Sequence, residues 1–181
     1  MNKDLPLVEV ATAHVTALRL TGLDNLDPIT VYLDNPEPGR GQITIRCWDT
    51  SWTAGWRGLS GRSVEEFFVA QNDHYLAKNL SSFKAEVLAN GEELTRLLRV
   101  EFLRQRRARE LDKGLARTFW EGAEGIEISE AHCSDHKLMV AAFGEEWFRD
   151  PPTMANSDYL YLCRIIQAVR DGLRKYIEEK G

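Results

Sequence analysis

The sequence predicts an α+β fold: an N-terminal three- to four-stranded antiparallel β-meander followed by four to five α-helices packed on one face. Three observations carry that prediction. Apolar and polar residues alternate through much of the first third of the chain. After residue 60 the apolar spacing changes to the three-and-four pattern of amphipathic helices. Strands and helices are segregated rather than interleaved, which leaves a parallel dinucleotide-binding sheet unsupported.

Residues 8–20, VEVATAHVTALRL, are rich in β-branched residues and read as a first strand. Turn chemistry from Asp24 to Pro28 ends it. Residues 29–33, ITVYL, alternate as a half-buried strand does. NPEPGRG at 35–41 reads as a loop, because two prolines and two glycines punctuate it. In 42–48, QITIRCW, Ile43, Ile45 and Cys47 point one way and Thr44, Arg46 and Trp48 the other. A fourth strand or extended loop is expected over 50–57.

Ser63 and Glu66 match a capping box ahead of a helix at 63–71, which restarts at 73–80. Ser81 or Ser82 is expected to cap another helix running to Ala89. From Glu92 a long helix is expected. Leu94, Leu97, Leu98 and Phe102 form its stripe, Gly114 interrupts it, and Gly122 and Gly125 end it. Another helix is expected over 129–148. The last, 157–179, sets Leu162, Ile165, Ile166, Val169, Leu173, Tyr176 and Ile177 on one face.

At 181 residues the chain is expected to form one domain over 1–181, with a β-rich part at 1–60 and a helical part at 61–181. No apolar run approaches the roughly 20 residues of a membrane span. The N-terminus lacks the apolar core of a signal peptide. Cys47, Cys133 and Cys163 form no CxxC pair, so they read as free thiols of a reducing compartment. A cytoplasmic location follows as an expectation. The net charge of −5 argues against a dedicated duplex-DNA binder. Charge is uneven, however. Arg96 to Arg117 holds eight basic and three acidic residues, a balance of +5 that leaves −10 for the rest.

Two stretches are candidate binding surfaces. Trp48, Trp52 and Trp56 are four apart, which puts all three on one face of a strand. They would stack bases or anchor a partner, or else pack between sheet and helices. On the long helix, Arg96, Arg99, Arg106 and Arg107 fall largely opposite the leucine stripe. Arg109, Lys113 and Arg117 make a second row. Such a face suits a phosphate backbone or an acidic protein, or is a solvated helix surface. Arg99, Arg106, Arg107 and Arg109 are the first candidates for contacts.

Catalytic signals are sparse. His14-Val15-Thr16 has the His-apolar-Thr form of two-histidine phosphoesterases, whose chemistry pairs one His as base with another as acid. The only available second motif is His132-Cys133-Ser134, in a predicted helix. His132 and His136 are spaced to share a helix face and supply half a metal site, but further ligands are not evident. No phosphate-binding loop, nucleophile elbow or HExxH motif is present. No cofactor and no metal are expected.

The segment 27–80, from DPITVYLDNPEPGRGQITIRCW through SWTAGWRG to HYLAKNL, resembles a family of small proteins encoded by tailed bacteriophages and prophages of enteric bacteria. That resemblance implies an accessory gene product of the host cytoplasm and transfers no catalytic residue. The expected function is binding of a host protein or protein–nucleic-acid complex, to modulate host processes or defence. A nucleotide or phosphodiester enzyme using His14, Thr16, His132 and Ser134 is one alternative. A single-stranded nucleic-acid binder is the other. No membrane partner is expected, and the oligomeric state is left open.

Overall fold

The computed structural model describes residues 10–129 and 132–181. Four strands come first: β1 (Thr16–Leu20), β2 (Ile29–Glu37), β3 (Arg40–Cys47) and β4 (Thr50–Trp56). Helices α1 (Val64–Ala70) and α2 (Asp73–Leu80) follow. Then come β5 (Glu86–Leu88), α3 (Gly91–Arg107), α4 (Lys113–Gly122), α5 (His136–Phe143), a short 3-10 turn at Trp147–Arg149, β6 (Thr153–Ala155) and α6 (Ser157–Lys180). The fold is α+β. Its chain divides into two compact units, one of residues 1–83 with 158–181 and one of residues 84–157.

In the first unit β1 to β4 form an antiparallel meander in sequential order. Period-two alternation sets Ile29, Val31, Leu33, Ile43, Ile45, Cys47, Trp52 and Ala54 on one face, all buried. Against them pack Val64, Phe67 and Phe68 of α1, Leu76, Ala77 and Leu80 of α2, and Leu162, Ile165, Ile166, Val169 and Leu173 of α6. Ser63 caps α1 as its sequence predicts. Its hydroxyl accepts from the Glu66 amide at 3.4 Å, and Glu66 Oε2 accepts from the Ser63 amide at 2.9 Å. The Asp73 carboxylate ties α2 to α6 through the Arg170 guanidinium at 2.6 Å and the Gln167 amide at 3.0 Å.

NPEPGRG is not a loop throughout. Strand β2 runs on to Glu37, with a register shift between Asp34 and Glu37 and a two-residue turn at Pro38-Gly39. Proline fixes the first turn residue, and Gly39 takes φ +80°. Asn35 explains the irregularity. It accepts from the Val64 amide at 2.8 Å and donates to Glu65 Oε2 at 2.9 Å, clasping the strand to α1.

The second unit has its own core. Leu94, Leu98 and Phe102 of α3 meet Leu138, Met139 and Ala142 of α5, with Ala123, Ile126 and Trp147. Helices α3 to α5 thus build a separate core, while α1, α2 and α6 cover the sheet. Three predicted elements change here. Residues 81–89 form no helix, because β5 pairs antiparallel with β6 and this long-range ladder overrides local propensity. The long helix is two helices. Arg109 turns the chain at φ +64°, and Asp112 caps α4 by accepting from the Gly114 and Leu115 amides at 2.7 and 3.1 Å. Gly114 therefore sits inside the new helix. The helix expected over 129–148 shrinks to α5. Asp135 caps it through the Leu138 amide at 3.0 Å, and Gly144 ends it at φ +89°. Residues 130 and 131 of that prediction, like residues 8 and 9 of the first strand, lie outside the described residues.

Candidate binding surfaces

The three tryptophans do not form one platform. Trp52 is buried opposite Ile45. Trp56 is half-buried, its ring tilted 53° to that of Phe67 at 5.2 Å, and donates to the Tyr75 hydroxyl at 3.0 Å. Both belong to the core face. Trp48 is separated from them by the β3–β4 turn, because Cys47 pairs with Thr50 and leaves Trp48 and Asp49 as a two-residue loop. Its indole is 73% exposed and its φ is +55°.

The register of the meander defines what lies on the outward face. Arg19, Thr30, Arg46 and Ser51 are aligned across the four strands. Ala17, Tyr32, Thr44 and Thr53 form the next row, and the Thr44 and Thr53 hydroxyls are 2.9 Å apart. Asp34, Gln42 and Gly55 make a third. Alternation makes this face legible, but the cross-strand partners require the register.

On the basic helix, charge is partly neutralised. Arg96 pairs with Glu93 at 2.6 Å, Arg104 with Glu101 at 2.7 Å, and Arg117 with Glu121 at 2.9 Å. Hydrogen bonding from the guanidinium holds the Glu93 and Glu101 carboxyls below the usual range, and raises Arg96 and Arg104 in return. Arg99 lies 5.1 Å over the Trp120 ring, donates to the Trp120 carbonyl at 3.3 Å, and pairs with Glu124 at 3.4 Å. Among the described residues, Arg106, Arg107 and Arg109 enter no ion pair. They are exposed at the C-terminal end of α3 and in the turn to α4.

Helix α4 supplies what the sequence pattern missed. It is amphipathic, yet none of its residues is buried. Leu115 is 49% exposed and Trp120 38%. Beside Trp120, Val100 and Leu103 of α3 are 52% and 42% exposed. Val100, Leu103, Trp120 and Arg99 line a groove of about 560 Å³. The signal was available as Trp120, which the predicted stripe leaves unused; Leu115 falls near that stripe in an unbroken helix, and the turn at Arg109 takes it off.

Neither His14 nor His132 lies in a helix or a strand. His14 is exposed and precedes β1, whose first residue is Thr16. His132 is not helical. It lies in a hairpin closed by the Ile128–Cys133 bridge, in which the Ser129 amide donates to the His132 carbonyl at 2.8 Å. Ser134 is spent on that hairpin, its hydroxyl accepting from the Glu127 amide at 3.0 Å. His132 and His136 therefore share no helix face. His136 Nδ1 instead accepts from the Trp147 indole at 3.2 Å. A hollow of about 660 Å³ beside the hairpin is lined by His132, Cys133, Val87, Trp147 and Phe148. Among the described residues, no group of three or more His, Cys, Asp or Glu is placed to hold a metal ion, and no helix is long and apolar enough to cross a membrane.

Comparison with known proteins places the chain. No curated protein and no solved structure matches it. A family model described as a phage family matches residues 8–175, which takes in both compact units. With nearly the whole length matched, the chain belongs to this phage family.

Proposed function

We propose that this phage protein is a non-enzymatic accessory factor that binds an acidic, amphipathic segment of a host protein along α3 and α4, and so modulates a host process. One observation carries the reading: an amphipathic helix with no buried residue, lying beside exposed apolar residues of its neighbour. Apolar side chains grouped on a surface and ringed by polar ones mark interaction sites. Trp and Arg are the residue types that anchor them.

Charge selects the occupant. Arg106 and Arg107 follow Leu103 by about one turn of α3, Arg109 lies in the turn beyond it, and Lys113 opens α4; the three arginines enter no ion pair among the described residues, while Arg96, Arg99, Glu92 and Glu124 line the groove itself. Part of that charge answers the negative end of the α3 dipole. Arg109 lies beyond the helix in a left-handed turn, where the dipole does not require it. A helix with Leu or Phe on one face and Asp or Glu at its flank complements both features.

Pull-down from nuclease-treated host lysate, followed by direct titration of the retained protein, tests this. Wild type is expected to retain a stoichiometric partner. Leu103→Asp with Trp120→Asp is expected to abolish retention, while far-UV circular dichroism stays unchanged. Arg106→Glu with Arg107→Glu and Arg109→Glu is expected to weaken binding most at low salt. Retention by all variants alike, or no retention of protein by the wild type, refutes the reading.

A further inference from the structure

We propose that the outward face of the four-stranded sheet, with Trp48 at its rim, binds single-stranded nucleic acid. This site is separate from the α3–α4 groove and uses different chemistry. Trp48 is the first observation. A bulky residue at positive φ is strained, and glycine is the cheap occupant of such a position. Strain at Trp48 is not offset by packing, since the indole is largely exposed. The fold therefore gains nothing visible from a tryptophan there.

What lies behind it on the sheet supplies the rest. Arg46 is two residues before Trp48, and its Nε donates to the Trp48 carbonyl at 3.3 Å. Arg19 is in the same cross-strand row, two strands away, or roughly 10 Å. Neither arginine is in an ion pair among the described residues. Tyr32 follows in the next row, two strand spacings from β4 and paired with Thr44. The remaining outward positions are hydroxyls, one glutamine, Ala17 and Gly55, with Asp34 as the acid of the far row. Asp49 sits beside Trp48 and accepts from the Thr50 hydroxyl at 3.2 Å.

Aromatic rings bracketing an arginine row are what an unpaired strand needs. The π-faces of exposed Trp48 and half-buried Tyr32 stack bases whatever their identity, and guanidinium groups hold the phosphates between them. Hydroxyls and the amide give short polar contacts to sugar and base edges. Two small side chains leave room over the sheet. Asp34 and Asp49 bound the path at its ends, so phosphates are drawn to the Arg19–Arg46 row. A duplex, with its bases stacked inside, offers nothing to Trp48 and Tyr32.

Fluorescence anisotropy with a labelled oligothymidylate of about 12 nucleotides tests this. At low salt the full chain is expected to bind. Trp48→Gly is expected to weaken binding about tenfold without loss of thermal stability, since glycine suits the turn. Arg19→Gln with Arg46→Gln is expected to lower the salt dependence of log affinity by about 1.4. Trp120→Asp is expected to change nothing, which separates this site from the groove. No binding at low salt, equal binding of a duplex of the same length, or unchanged affinity in Trp48→Gly overturns the proposal.

Discussion

Gly41 and Trp48 mark the two ends of β3, and they obey opposite constraints. A Cβ on Gly41 would come within 2.7 Å of Val64 Cβ and 2.9 Å of Asn35 Oδ1. Neither neighbour is a loose side-chain end. Val64 is fully buried and Asn35 is held by two hydrogen bonds. Gly41→Ala is therefore expected to cost about 2 kcal/mol in urea denaturation. Trp48→Gly is expected to gain up to about 1 kcal/mol in the same assay, because it releases a left-handed residue. Burial, and the Tyr159 hydroxyl only partly against it, push the Cys163 thiol up from 9.0. Burial and the hydrogen bond to Cys163 likewise raise Tyr159 above 10.0. For these groups the folded state holds its proton longer than the unfolded chain does. Their contribution is complete below the unfolded value and is lost as pH rises towards the folded one. Stability is expected to fall above pH 9.0, and Cys163→Ala to flatten the start of that fall. Urea midpoints measured from neutral to alkaline pH check this.

The helices differ in how deeply they are rooted. Helix α6 buries Leu162, Ile165, Ile166, Val169 and Leu173, whereas α4 has no fully buried residue and roots itself through half-buried Phe119, 5.2 Å from Phe102. Hydrogen exchange is expected to show α4 among the least protected helices and α6 among the most. A bound partner should slow exchange in α4 first. Ser63→Ala is expected to cost about 1 kcal/mol through loss of the α1 cap. The same contrast explains what could be read from the sequence. Strands β2 to β4, the Ser63 cap and α6 were legible because local pattern and tertiary packing agree there, whereas the first strand, expected over 8–20, is confined among the described residues to Thr16–Leu20. Residues 81–89 were misread because three residues of β5 are held by β6 from far along the chain. Trp48, Trp52 and Trp56 share a spacing, but a turn falls between the first and second, so period alone misassigned Trp48. The arginine row was visible. Its neutralisation by Glu93, Glu101 and Glu121 needed the ion-pair geometry, and the groove beside it needed the α3–α4 pairing.

Across the chain as a whole, the second unit is inserted between α2 and α6 of the first. Each unit has its own apolar cluster. Replacing residues 84–157 with a short Gly-Ser linker is expected to leave a first unit that still unfolds cooperatively and keeps its sheet signal in circular dichroism. Loss of cooperative unfolding would show that the first core depends on the insert. The acidic-segment site is expected to vanish with the insert, while oligonucleotide binding at Trp48 persists.

Strands β5 and β6 pair antiparallel at the two ends of that insert. The Asn156 amide donates to the Ala85 carbonyl at 2.9 Å, and its side chain to the Lys84 carbonyl at 2.9 Å. Entry and exit of the inserted chain are thus side by side. Such an arrangement makes the insert replaceable in inheritance, since a longer, shorter or unrelated segment with adjoining ends would leave the sheet undisturbed. Relatives are expected to differ in length mainly between Lys84 and Ser157, which an alignment of family members checks.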